Sequence, residues 1–466
     1  MEKINFKNRA SKFQLFGFAG NNAATNALFV ILSSYFLVYA TTIYGFSPIL
    51  VGGLMTATRL FDAFTDPIIG IMVDRTNTKL GRFRPWIIAG SLLSNVMFFV
   101  LFSGIQLGSD AANLAFLIIV YMIWVVGYTF QTSISKAGQN VITSDPDQRT
   151  SLNAVSGLMT VFVFITGLMI FSPIMGEDNV NAGVASSWQT IAIIMIIVQT
   201  VLTILSLSGI WKKDVPENYL VDVKQDKPVA KDYISLFKGN KALQMLIVAA
   251  STNKISQSIT GGMTVVFYAY VIQDQSLQTS VTPTSIIFML LATFMAWYIT
   301  NRLGRKRSFT MFSFAAMVYG VIAIFLIPIA PSSFIWLVIV LGINGFFQGA
   351  TDLNVIPMIG DAADYENYNN RRFIPGMIGT SFSMIDKIVS SFATLIVGIL
   401  LAWFGYESLT ETDPTQLLFW GILITYFAFP AIGHLCSVIA MKFYPLDNEM
   451  MTKMHIELER RRSEEA

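Results

Sequence analysis

The chain has 466 residues, of which 54% are hydrophobic and only 13% charged, with a mean hydropathy of +0.58. Soluble domains carry about 25% charged residues, so the composition excludes a soluble or disordered protein and describes an integral membrane one. The 31 basic and 29 acidic residues nearly cancel, leaving a net charge of +2 that is uninformative here; no nucleic acid partner is expected, and the single cysteine, Cys436, excludes an internal disulfide.

Taken in chain order, apolar runs cover 14–43, 47–74, 84–107, 112–142, 149–175, 185–211, 240–274, 281–303, 308–329, 332–366, 376–406 and 414–444, twelve in all. Each is long enough to cross a hydrocarbon core of roughly 30 Å as a helix. The runs are continuous rather than alternating, which selects helices over a barrel, since every backbone group in lipid needs an internal partner. The opening MEKINFKNRASKF is polar and basic, and no short apolar region with a cleavage site follows, so the first span is expected to remain in the mature protein.

Basic residues crowd every second break: Arg75, Lys79, Arg82 and Arg84 after the second span, Arg149 after the fourth, Lys212 to Lys231 after the sixth, Arg302 to Arg307 after the eighth, and Arg371 with Arg372 after the tenth. The alternate breaks, such as YGFSP and GEDNVNAGVASS, hold no lysine or arginine. The positive-inside rule therefore places both termini in the cytoplasm of a plasma membrane and requires an even number of spans. The expected organisation is a cytoplasmic N-terminus (1–13), a six-helix bundle (14–211), a cytoplasmic middle loop (212–239), a second six-helix bundle (240–444) and a cytoplasmic tail (445–466). KLGRFR at Lys79 to Arg84 and RLGRKR at Arg302 to Arg307 occupy equivalent places in the two halves. The expected fold class is thus all-α, with 12 transmembrane helices in two pseudo-symmetric bundles.

The second span contains RLFDAFTDPIIG, and its Arg59, Asp62 and Asp66 share one helical stripe. An ionised group at the bilayer centre costs at least about 2.5 to 3.5 kcal/mol, so the stripe should face the bundle interior. Two carboxylates one turn apart repel unless a cation sits between them. That arrangement suits a proton or a hard cation with oxygen ligands, Na+ at Asp62 and Asp66 being one such occupant. The structural alternative is an Arg59–Asp62 pair that joins helices, with Asp66 beside a kink at Pro67.

Further charges fall inside other spans: Lys136, Lys254, Asp352, Asp386 and Lys387. Polar side chains surround them, and the expected ligand-facing set is Asn21, Asn22, Thr132, Lys136, Gln139, Asn253, Gln257, Gln348, Asp352 and Asp386. Amides and hydroxyls suit a polyhydroxylated ligand better than a lipid, although any one of them can equally join helices for about 0.6 kcal/mol.

The segment RLFDAFTDPIIGIMVDRTNTKLGRFRPW, Arg59 to Trp86, resembles the second helix and following loop of the glycoside-pentoside-hexuronide cation symporters, the melibiose-permease branch of the major facilitator superfamily. GDAADYENYNNRR after the tenth span and a lysine in the eleventh resemble the same family, and the twelve-helix layout fits along nearly the whole chain. The resemblance implies that Asp62 and Asp66 bind the coupling cation (Na+, Li+ or H+), together with Thr129 and Lys387. Thr65 stands where Na+-using members often present an asparagine, which leaves Na+ and H+ both open. Sugar-binding members carry an aspartate in the first helix and an arginine in the fifth; here Asn22 and Gly157 stand in those places, and Asp352 stands where an aromatic is common. The sugar specificity should therefore differ from the galactoside pattern, with Lys136 answering an acidic group such as a uronate and Asp352 taking over hydroxyl recognition.

The resemblance implies a secondary active transporter that imports a sugar or glycoside by alternating access, acting as a monomer in the lipid bilayer with no cofactor beyond the coupling ion. The loop DRTNTKLGRFRP and its echo should form charge-paired latches that stabilise the outward-facing state, with Arg59, Asp74, Arg75, Arg82, Arg84, Arg302 and Arg305 as members; the plainer alternative is that these charges only enforce topology. No enzyme is expected, since H-E-x-x-H and G-x-S-x-G are absent and the two histidines are His434 and His455. A cation-coupled lipid carrier, a sugar uniporter and a transporter-like sensor are the alternative functions. The tail LDNEMMTKMHIELERRRSEEA has mixed charge and some helical periodicity, including Met451, Met454 and Leu458; it is read as solvated or lying along the cytoplasmic membrane surface, with a regulatory element as the alternative.

Overall fold

The computed structural model describes residues 8–143, 146–175, 181–218, 236, 239–371, 375–409 and 414–465. Twelve long helices run through them: α1 (Lys12–Tyr44), α2 (Pro48–Asp74), α3 (Arg84–Leu101), α4 (Asp110–Ala137), α5 (Pro146–Met169), α6 (Ala185–Ile210), α7 (Lys241–Phe267), α8 (Ser276–Leu303), α9 (Arg305–Leu326), α10 (Phe334–Asn370), α11 (Pro375–Trp403) and α12 (Gln416–Phe443). A tail helix, α13 (Asn448–Glu465), follows. Among the described residues, eleven helices are long and apolar enough to cross a membrane; the other long one there is α2, whose 27 residues carry the charged stripe.

Local sequence fixes the helix ends. Ser11 and Gln14 form a reciprocal capping box at the start of α1, which stops at Gly45 in the left-handed region (φ 68°). Ser109, Asn240 and Thr415 cap α4, α7 and α12 by accepting from the backbone N–H three residues on. Where the apolar pattern continues past a break, backbone chemistry decides. α3 ends at Leu101 rather than 107, before Gly104 and Gly108 take positive φ of 72° and 83°. The fourth run breaks at Gly138, where a Cβ would come within 2.5 Å of the Phe18 ring, and resumes as the short helix Gln139–Ile142. The fifth run starts at Pro146 and is interrupted before a separate turn at Phe171–Met175.

The chain divides into two compact units, one comprising Met1–Gln225 with Tyr406–Asp413 and the other Asp226–Gly405 with Pro414–Ala466. In the first, α1 packs on α6, α5 and α4, α4 packs on α2 and α3, and α3 packs on α6; in the second, α7 packs on α12, α11 and α10, α10 packs on α8 and α9, and α9 packs on α12. The same pairings recur with six added to each helix number, which is the pseudo-symmetry expected of a duplicated bundle. Close approach in the first unit depends on small residues: a Cβ on Gly209 of α6 would lie 2.5 Å from the Phe18 backbone nitrogen, and one on Gly17 would lie 2.9 Å from the Leu205 carbonyl oxygen.

One face of the tail packs on the second unit: Met454 (0% exposed) and Leu458 (6%) enter a core with Leu243, Leu246, Phe309, Ala362 and Met441, while Thr452, Lys453 and Ile456 stay exposed. Burying Met454 and Leu458 is worth about 1.5 to 3 kcal/mol each, enough to hold a helix whose other face is charged.

Candidate functional site

In the first unit the charged stripe of α2 meets α4. Asp62 is buried, and the hydroxyl of the fully buried Thr129 lies 2.8 Å from its Oδ1. The same hydroxyl is 2.9 Å from the Val125 carbonyl oxygen, and its single proton serves one acceptor at a time. Asp66, one turn further on, is half-buried. Thr65 donates to the Asp62 backbone carbonyl at 3.1 Å, so its hydroxyl serves the helix and is not directed at either carboxylate.

Arg59 is held away from a helix-joining pair. Its guanidinium lies 4.3 Å from the centroid of the Phe29 ring, and among the described residues it donates no hydrogen bond. Phe29 stacks on Tyr128 at 5.7 Å, and Tyr128 stacks on Trp124 at 5.1 Å. Cation and aromatic faces attract, so Arg59 stays within electrostatic reach of Tyr128, which also feels Asp62 and Asp66. A positive charge near two carboxylates partly compensates them. Among the described residues no group of three or more His, Cys, Asp or Glu gathers as a multidentate metal site, so a cation here would rest on carboxylate and hydroxyl oxygens.

Several of the expected ligand-facing amides join helices instead. Asn21 is fully buried and donates to the Gln131 carbonyl (2.9 Å) and to Ser135 Oγ (2.7 Å) of α4. Gln131 donates to Thr203 and accepts from Gln199 (3.0 Å), which in turn accepts from Ser91 and Asn95 of α3. This chain of amides ties α1, α4, α6 and α3 together. Asn22, half-buried, donates to Thr160 of α5 at 3.1 Å, and Gln139 donates to Asn153 at 2.9 Å. Thr132 contacts its own helix through the Thr129 carbonyl at 3.3 Å. The side chains of Lys136 and Asp74 lie outside the described residues.

The second unit holds the other constellation. Asp352 on α10 is exposed and accepts from Gln257 of α7 at 3.2 and 3.3 Å, and from Gln348, one turn earlier on α10, at 3.4 and 3.5 Å. Lys254 of α7 is exposed and within electrostatic reach of both Asp352 and the half-buried Asp386 of α11. Asn253, its chain neighbour, is buried. Lys387 is half-buried on α11, in the other unit from Asp62.

The two glycine-basic loops close within their own units. Asp214, just beyond α6 and with its side chain fully buried, accepts from three successive backbone N–H groups, Arg82 (3.0 Å), Phe83 (3.0 Å) and Arg84 (2.9 Å), and from Arg84 Nε at 3.3 Å. A carboxylate at the start of α3 also meets the positive end of that helix. Gly81, at φ 96°, admits it, since a Cβ there would lie 2.3 Å from Asp214 Oδ2. In the second unit Arg305 pairs with Asp361 of α10, Lys306 donates to the Tyr444 carbonyl at 2.6 Å, and Asn448 donates to the Leu303 carbonyl at 3.0 Å. Arg302 lies over the Tyr298 ring at 4.5 Å, and Arg75 is exposed. Lys213 donates to Asn8 Oδ1 and the Arg9 carbonyl, both at 2.7 Å, and burial pushes its ammonium pKa down. Asp214 escaped the sequence reading; its signal was an acid directly after the sixth span, in WKKD. Lys254 was seen as a membrane charge but given no role.

A model of the family described as MFS/sugar transport protein matches residues 17–448. The isoprimeverose transporter of Lactiplantibacillus pentosus is 23% identical over 465 residues, covering 98% of this chain and 94% of that protein. The glucuronide carrier protein homolog of Escherichia coli K12 is 22% identical, covering 96% and 95%, and the inner membrane symporter YicJ of the same organism is 23% identical, covering 92% and 91%. Among solved structures, a bacterial homologue of the human drug peptide transporters PepT1 and PepT2 superposes with a TM-score of 0.66 at 13% identity, covering 96% of this chain and all of that one. The nucleoside transporter NupG (D323A mutant) gives 0.62 at 13% identity, with 93% and 100% covered. At these identities the structural matches speak for the fold alone.

Proposed function

The chain belongs to the MFS/sugar transport protein family, and from that premise we propose that it is a glycoside symporter whose coupling cation, Na+ or H+, binds at Asp62 and Asp66. The observation that carries this is the buried Asp62 carboxylate, held at 2.8 Å from the Thr129 hydroxyl in the middle of an otherwise apolar helix. A carboxylate kept at that depth has a cost of at least about 2.5 kcal/mol, and a site that binds and releases a cation offsets it in one state of the transport cycle. Binding neutralises one charge of the Asp62–Asp66 stripe, and linkage then requires that cation and sugar strengthen each other by the same factor. A hexuronide is the acidic form of substrate, for which Lys136 supplies the counter-charge.

The test is uptake into proteoliposomes of radiolabelled xylosides, galactosides and glucuronides, driven separately by a Na+ gradient and a pH gradient. One gradient should drive accumulation above equilibrium. Equilibration without accumulation under either gradient would make the protein a uniporter. Lys136→Gln should abolish uptake of the glucuronide while sparing the neutral glycosides.

A further inference from the structure

In the second unit α7, α10 and α11 pack on one another, and each carries charge near its middle. Lys254 is the central residue of α7 (Lys241–Phe267), and Asp352 is the central residue of α10 (Phe334–Asn370). Charges so deep in a membrane protein need a polar surrounding. Both residues are solvent-accessible, and the Asp352 carboxylate is turned toward α7 by its bonds to Gln257.

The hydrogen-bond inventory shows spare capacity. A carboxylate has about four acceptor sites; here two amides, from Gln257 and Gln348, occupy part of them and fix the orientation. Lys254 lies one turn before Gln257 on the same face of α7. Among the described residues its ammonium donates no hydrogen bond and closes no direct ion pair, although Asp352 and Asp386 are both within electrostatic reach. The mixed charge decides what kind of ligand fits. A cation would be repelled by Lys254 and an anion by the two carboxylates, whereas a hydroxyl donates one hydrogen bond and accepts others.

We propose that Asp352 and Lys254 grip a pair of neighbouring ring hydroxyls of the transported sugar, Asp352 accepting from them and Lys254 donating to them, with Gln257 and Gln348 as positioning residues. The clamp rests on the transport function proposed for the chain, and it places sugar recognition in the second unit while cation binding stays in the first. The pair would read hydroxyl configuration and leave the aglycone unread, because the carboxylate oriented by Gln257 and Gln348 accepts only from hydroxyls placed to reach it.

The experiment is a double-substitution cycle on the full chain in lipid nanodiscs, read by calorimetric binding. Methyl α-xyloside, methyl β-galactoside and methyl β-glucuronide are the parent probes, and the tightest is compared with its monodeoxy forms. In the wild-type chain, removing one particular hydroxyl should weaken binding at least about tenfold. Asp352→Asn should weaken the parent sugar to a similar extent, and the same deoxygenation should then cost nothing further. Lys254→Gln should behave likewise with a smaller loss, and the half-saturating cation concentration, read without sugar from the total tryptophan fluorescence, should be unchanged in both variants. Equal sugar affinity in wild type and Asp352→Asn, or an undiminished deoxy penalty in the variant, would overturn the clamp and leave the transport function standing. Failure of all three sugars to bind the wild-type chain would overturn the transport function and the clamp with it.

Discussion

The two units place carboxylates at similar depth in their helices and treat them differently. Asp62 is buried beside the Thr129 hydroxyl, with a guanidinium parked on a nearby aromatic stack. Asp352 is open, held by two amides and faced by an ammonium. A buried carboxylate beside a hydroxyl suits a small ion. An open carboxylate with oriented amides has room for a ligand that brings its own hydrogen bonds. The difference teaches that pseudo-symmetric packing does not require symmetric chemistry: the helix pairings repeat, but the charge moved from α2 in one unit to α7, α10 and α11 in the other.

The loops repeat the contrast in milder form. The first is closed by the buried, charged Asp214, which accepts from three consecutive amides. The second is closed by the neutral Asn448 at Gly304 and by an Arg305–Asp361 pair whose arginine is largely exposed. Solvent at the arginine screens that pair, although the Asp361 carboxylate is buried; the Asp214 carboxylate, in contrast, accepts three backbone bonds that are all orphaned when it is removed.

The largest effect that could break the comparison belongs to Asp62. Asp62→Asn should reduce gradient-driven uptake by about a hundredfold or more, about 2.7 kcal/mol in coupling, while sugar binding measured without a gradient persists; loss of both together would mean that the two units are not chemically separate. Thr129→Val should weaken the half-saturating cation concentration by about tenfold, the value of one hydrogen bond to a charged group, with sugar affinity at saturating cation unchanged. Asp214→Ala should then lower the thermal midpoint of the purified protein by several degrees, from a loss of about 2 to 3 kcal/mol, and should exceed the effect of Asp361→Ala; the reverse order would contradict the ranking of the two loops. The smallest effect is expected at the tail, where Met454→Ala should cost about 2 kcal/mol or less and be visible as earlier proteolysis of α13 with uptake preserved.

Much of the architecture was legible in the sequence, because twelve apolar runs and an alternating distribution of Lys and Arg are strong periodic signals. Helix ends were less so: the breaks at Leu101, Gly138 and Ile170 interrupt apolar sequence and are set by glycine geometry and packing, which hydropathy does not sense. Asp62 and Thr129, expected together from the resemblance, are in contact. Asn21 looked like a ligand-facing amide and proved to be fully buried between helices, because a sequence reports that a side chain is polar but not which neighbour it meets. Asp214 was invisible for the opposite reason: it is an ordinary acid in a charged loop until the fold brings Gly81 against it. The tail's Met454 and Leu458 carried a weak helical period, and only the core of the second unit shows where that face is buried.

The most direct test of the account is the affinity of the purified chain for its sugar across a series of Na+ concentrations and pH values, in the wild type and in Asp62→Asn. The account predicts that one cation tightens sugar binding by at least about fivefold, in the range of ordinary coupling energies, and that the substitution removes this dependence. Sugar affinity that is constant across both series, or a cation dependence that survives in Asp62→Asn, would contradict it.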